Sequence, residues 1–147
     1  MADIAPDLFA NSIFLSILVA GAVSQILKIA IITAKHKQKF CFNHLIVTGG
    51  MPSTHSALVS SLAAIIFLEQ GLSALFFVVL TFSLIVLRDS MGVRRSVGEE
   101  GKAIEKIAKY GRIKIDRFRY ALGHTPVEVA AGLFIGFISA IFSYYIF

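Results

Sequence analysis

Gly49-Gly50-Met51-Pro52-Ser53-Thr54-His55-Ser56-Ala57 stands directly before a long apolar run, and its reading decides how the rest of the chain is arranged. Two glycines let the backbone turn sharply, and Pro52 fixes φ where a helix is expected to begin. The first turn of such a helix offers unpaired N–H groups and the positive end of its dipole, a setting that suits an anion. Ser53 adds a hydroxyl there and His55 a titratable proton. Two readings are open: a plain helix start with a satisfied histidine, or an anion site. A second stretch of the same kind, Gly123-His124-Thr125-Pro126-Val127-Glu128, favours the second.

Working outward, the chain has 147 residues, of which 56% are hydrophobic, and a mean hydropathy of +0.79. The apolar residues come in long blocks, so the excess points to a bilayer and away from a large aqueous core. The expectation is an all-α integral membrane bundle, a single membrane domain over 1–147. Its spans lie at about 9–34, 52–68, 72–87 and 125–147, with loops at 35–51 and 88–124. The acidic start, with Asp3 and Asp7 and no basic residue, reads as the lead into a retained anchor and not as a signal peptide. Spans two and three are short, joined by a polar turn at Glu69-Gln70-Gly71. A re-entrant pair is the alternative to a transmembrane hairpin. Between Ser96 and Arg119, Ala103, Ile104, Ile107 and Ala108 recur at helical spacing among charges, the pattern of a surface amphipathic helix.

The net charge of +5 is an orientation signal before it is anything else, and nucleic acid is not the expected partner. Lys35, Lys37 and Lys39 lie in the first long loop, ten further basic residues from Arg88 to Arg119 lie in the second, and Lys28 is the remaining one. Four spans put both loops on one side, and the positive-inside rule makes that side cytosolic, with both termini outside and the plasma (inner) membrane as the expected location. Cys41 is the only cysteine, so no intrachain disulfide and no multi-cysteine metal site arises.

This topology gathers the polar residues at one membrane face. Lys28 lies near the end of the first span, Ser53 and His55 open the second, Asp89, Arg94 and Arg95 leave the third, and His124 and Glu128 open the fourth. Cations and helix N-termini could neutralise phosphate oxygens while one histidine attacks and the other donates a proton. Each residue also has a plainer role. Lys28 could snorkel, Arg94 and Arg95 could be orientation anchors, and Thr125-Pro126-Val127-Glu128 fits a capping box that by itself accounts for Glu128. A metal held by His55, His124, Asp89 and Glu128 is the weaker reading, because no local pair such as His-x3-His supports it. His36 and His44 receive no role.

Gly-Gly-Met-Pro-Ser-Thr-His-Ser-Ala, Asp-Ser-Met-Gly-Val-Arg-Arg and Gly-His-Thr-Pro-Val-Glu-Val, in this order, resemble the divergent type-2 phosphatidic acid phosphatase family, also called acid phosphatase/vanadium-dependent haloperoxidase-related. The resemblance covers nearly the whole chain. It implies metal-independent hydrolysis of a lipid phosphate or polyprenyl pyrophosphate, with no cofactor. In it His124 is the nucleophile, Glu128 its orienting carboxylate and His55 the general acid. Ser53, Lys28 and Arg94 or Arg95 bind phosphate, and Asp89, Arg119 and Thr54 support them. The chain departs from the wider superfamily in four respects. Thr54 replaces a glycine, Glu128 replaces an aspartate, the Lys-x6-Arg-Pro and Ser-Arg elements are missing, and four spans stand where six are usual. The last raises the question of a reduced core or of a homodimer that completes it. The competing class is a phosphate-lipid binding, transport or scaffolding protein that keeps the pocket without turnover.

Overall fold

The computed structural model describes residues 11–36, 50–113 and 123–146. Five helices occupy them: α1 (Ser12–His36), α2 (Thr54–Gln70), α3 (Ala74–Met91), α4 (Val93–Gly111) and α5 (Pro126–Ile146). No strand occurs among the described residues.

The starts of α1, α2 and α3 are written in a polar side chain, whereas α4 begins after Gly92 with no side-chain cap. The Asn11 carboxamide accepts from the Phe14 N–H at 3.0 Å and opens α1, while the Ser73 hydroxyl accepts from Phe76 N–H at 3.2 Å and opens α3. At α2 the cap is Ser53, whose hydroxyl accepts from Ser56 N–H. Pro52 therefore precedes the cap and is not the first helical residue, a correction to its expected place. Glu69 and Gln70 belong to the last turn of α2, and the connection to α3 is Gly71 to Ser73, with Gly71 at φ 62. The third apolar helix also runs one turn further than its hydropathy indicates, taking Arg88, Asp89 and Ser90 into helix.

Among the described residues, three helical stretches are long and apolar enough to cross a membrane: Ser12–Ala34, Ala74–Gly111 and Pro126–Ile146. Helix α2 has 17 residues, about 25 Å at 1.5 Å per residue. It is nevertheless the centre of the bundle, packed against α1, α3 and α5. Serine hydroxyls tie it to each neighbour: Ser16 of α1 to Ser61, Ser83 of α3 to the Val59 carbonyl, and Ser60 to the Leu133 carbonyl of α5. Such interhelical bonds contribute about 0.6 kcal/mol each in a membrane.

The α2–α5 contact is the closest. A Cβ placed on Gly132 would lie 2.3 Å from the Ser53 carbonyl oxygen, and one on Gly136 would lie 2.2 Å from that of Ala57. These glycines stand four apart on one face, the small-x3-small spacing that lets two membrane helices touch through their backbones. The two helices run parallel, since Gly132 meets Ser53 and Gly136 meets Ala57 and Ser60. A small apolar cluster of Ile65, Ile66, Val79 and Ala140 closes the far end. Most large apolar side chains, among them Phe77, Val78, Phe82, Leu84, Ile85, Phe134 and Phe142, face outward. That inversion of the soluble pattern is what a lipid-exposed surface looks like.

Candidate active site

The parallel packing of α2 on α5 brings the two sequence stretches side by side. Ser53 N–H donates to the Glu128 carbonyl at 3.0 Å, so the cap of one helix is tied to the first turn of the other. The Ser53 hydroxyl, fully buried, accepts from Ser56 N–H and from the Ser56 hydroxyl at 2.9 Å, which leaves its own proton available to an acceptor. Thr54 donates through Oγ1 to Gln25 Oε1 at 3.2 Å and so draws α1 onto this end of the bundle. Lys28, three residues beyond Gln25, is only 4% exposed. Its charge acts on His55, His124 and Glu128.

His124 is held from several sides. Its N–H donates to the Ser90 carbonyl on α3 at 3.0 Å, and its side chain is buried, at 4% exposure for the residue. Gly123 just before it lies against the backbone of Arg95, where a Cβ would come within 2.3 Å of the Arg95 nitrogen, so only glycine lets the loop approach α4 this closely. His124 Nδ1 lies 3.2 Å from Glu128 Oε2. An ionised carboxylate can only accept, so Nδ1 carries the proton and Nε2 is left with a free lone pair.

Glu128 also completes the capping box. The same Oε2 accepts from Thr125 N–H at 2.9 Å, while Glu128 N–H donates to Thr125 Oγ1 at 3.4 Å. The cap and the histidine contact, two alternatives in the sequence, are thus made by one oxygen atom. Pro126 stands at the first helical position of α5, where its missing N–H is no loss.

His55, on the exposed side of the first turn of α2, faces His124 with ring centroids 6.2 Å apart and planes tilted by 59°. Burial lowers the pKa of His124. The Glu128 hydrogen bond and charge oppose this, and the Lys28 and Arg94 charges reinforce it. The result is an imidazole kept neutral near pH 7 among cations.

Arg94 is the arginine whose charge acts on both histidines. Its Nε donates to Asp89 Oδ2 at 2.6 Å across Gly92, the residue that joins α3 to α4. Arg95 instead donates through Nε to Glu99 at 3.1 Å, along α4, and contributes its backbone to the Gly123 contact. Arg119, like Arg117 and His44, lies outside the described residues. Among the described residues, no group of three or more His, Cys, Asp or Glu is placed to hold a metal ion. Two contributors were not singled out from sequence. The Ser90 carbonyl carries no sequence signal. Gly132-x3-Gly136, which seats Ser53 against Glu128, is legible as a small-x3-small motif in an apolar helix.

An outward apolar belt around a helical bundle defines an integral membrane protein, and paired histidines, a carboxylate and cations gather at one end of it. The model of the divergent PAP2 family matches residues 9–139, and the chain belongs to that family; it is a phosphatase-related membrane protein. It is similar to the uncharacterized membrane protein YuiD of Bacillus subtilis (strain 168), at 34% identity, with 86% of this chain and 89% of the relative covered. No solved structure matches.

Proposed function

We propose that this protein is a phosphatase that hydrolyses a lipid phosphate or polyprenyl pyrophosphate through a phosphohistidine intermediate. The observation that carries the reading is the pair of facing histidines, 6.2 Å apart, with His124 held by Glu128. His124 Nε2 attacks phosphorus and forms an N–P bond, and the P–O bond to the leaving group breaks as His55 gives that oxygen its proton. Water then attacks the phosphohistidine, His55 takes its proton, and inorganic phosphate leaves with His124 restored. Lys28, Arg94 and the Ser53 hydroxyl meet the oxyanions, and Glu128 stabilises the positive charge that develops on the attacking imidazole. Helix α2 is the fourth crossing, the site faces the cytosol, and both termini lie outside.

The test is a screen of the purified protein, reconstituted in bilayer discs, against a panel of lipid phosphates and polyprenyl pyrophosphates. Phosphate release that survives EDTA and is inhibited by vanadate, a mimic of the five-coordinate transition state, supports the proposal. Saturable binding of those lipids without phosphate release would replace it with a non-catalytic binding protein. Activity lost to EDTA and restored by a divalent ion would replace it with a metal-dependent site.

A further inference from the structure

Helix α4 packs on no described helix other than α3. Its sequence is strongly two-sided. At about 100° per residue, Val93, Val97, Ile104 and Ile107 fall within an arc of about 80° that also carries the exposed Glu100, whose carboxylate must reach up to the headgroups, while Lys102, Lys106 and Lys109 fall opposite them. The apolar side chains are exposed: Val93 66%, Val97 46%, Ile104 45% and Ile107 68%. Four branched apolar side chains on one strip of a helix that leaves the bundle are not a stable water-facing surface. What lies next to them is determined by where the helix starts. It begins one residue after α3, at Gly92, whose ψ of −95 breaks the helical path at the end of an apolar span. The bilayer surface already bounding the bundle is therefore continuous with this strip.

We infer that α4 lies in the headgroup layer on the site's side of the membrane, with Val93, Val97, Ile104 and Ile107 against the acyl boundary and Lys102, Lys106 and Lys109 turned to the aqueous side. Tyr110, exposed at the flank of the strip, belongs to the interfacial aromatics. The lysines stay within a Debye length of the surface, so anionic headgroups strengthen the docking. This placement sets Gly92, and with it Asp89 and Arg94, at headgroup depth. Through the Gly123 contact with Arg95 it sets the His124 loop at the same level. The inference rests on the membrane spans and not on the phosphatase reading, and its readout is independent of activity.

The experiment uses the full chain with Cys41→Ser and single cysteines at Ile104, Ile107, Lys102 or Lys106, each carrying a nitroxide, in bilayer discs with and without anionic lipid. Accessibility to oxygen, which partitions into lipid, is compared with accessibility to a water-soluble nickel chelate. The expected result is oxygen-dominated relaxation at 104 and 107 and chelate-dominated relaxation at 102 and 106. The ratio should differ severalfold between the faces, with deeper immersion in anionic discs. Chelate reaching 104 and 107 as readily as 102 would overturn the inference, because the helix would then stand in water. Shielding of 104 and 107 from both reagents would overturn it too, because protein would then cover the strip. Dipolar coupling between labelled copies would then tell a second copy from a stretch of the same chain.

Discussion

Glu128→Gln separates the two duties of one oxygen atom. Oε2 accepts from Thr125 N–H at 2.9 Å and lies 3.2 Å from His124 Nδ1. A glutamine with its amide oxygen in that place keeps both hydrogen bonds and the third-position role of a capping box, and loses only the charge. The stability cost is therefore the difference between charged and neutral acceptors at a helix N-terminus, about 1 kcal/mol. The cost in turnover is of a different size if the carboxylate supports the charge that builds on His124. Removing the equivalent carboxylate in serine proteases lowers turnover about 10⁴-fold, roughly 5 kcal/mol at 1.36 kcal/mol per decade. The assay is phosphate release by Glu128→Gln and wild type at matched expression, alongside thermal unfolding of both. The predicted outcome is a small loss of stability with a loss of turnover of two to four decades, about 10²- to 10⁴-fold. Near-wild-type turnover with unchanged stability would leave Glu128 as a helix cap and refute the His–Glu pair.

Because burial lowers the His124 pKa, the acid limb of kcat/KM should fall below the ordinary histidine value of about 6.5. In Glu128→Gln, where the carboxylate charge that raises it is gone, a pH–rate profile should place that limb lower still. The unfolded chain binds a proton at His124 that the folded chain refuses, so this group's contribution to stability should shrink as pH falls from about 6.5 to the folded pKa; unfolding midpoints of wild type and His124→Gln across that window check the sign. Gly136→Leu must push α5 off the Ala57 carbonyl, 2.2 Å from where its Cβ would sit. It should cost about 1–3 kcal/mol and lower turnover by separating Ser53 from Glu128, whereas the lipid-facing Phe137→Leu should do neither. A cysteine replacing Lys106, with Cys41→Ser, should be labelled by an impermeant reagent only from the cytosolic side, and labelling from outside intact cells would reverse the orientation.

The architecture was legible because membrane helices are specified by hydrophobic length, which sequence displays directly. The ends were less so. Arg88 and Asp89 look like a loop by hydropathy, yet they complete the last turn of α3, because backbone hydrogen bonding continues past the apolar core to Gly92. Pro52 looks like a first helical residue, but the Ser53 hydroxyl accepting from Ser56 N–H sets the boundary. The candidate site was legible as two stretches with matching chemistry, which the fold sets side by side. What joined them was legible only as the Gly132-x3-Gly136 spacing: the helix it meets, and the Ser53–Glu128 backbone bond that follows, are properties of two surfaces together. Arg94 and Arg95 are adjacent and identical in type. The structure tells them apart: Arg94 pairs with Asp89 across the joint and its charge acts on both histidines, while Arg95 pairs with Glu99 along α4.

The central claim is that His124 carries the phosphoryl group. The direct measurement is a rapid alkaline quench during turnover of a radiolabelled lipid phosphate, followed by mass-spectrometric mapping of the label. The account predicts phosphate on His124 in the wild type, with neither label nor phosphate release in a His124→Ala protein that extracts and elutes normally. Phosphate release by His124→Ala at the wild-type rate, or label mapping to another residue, would contradict it.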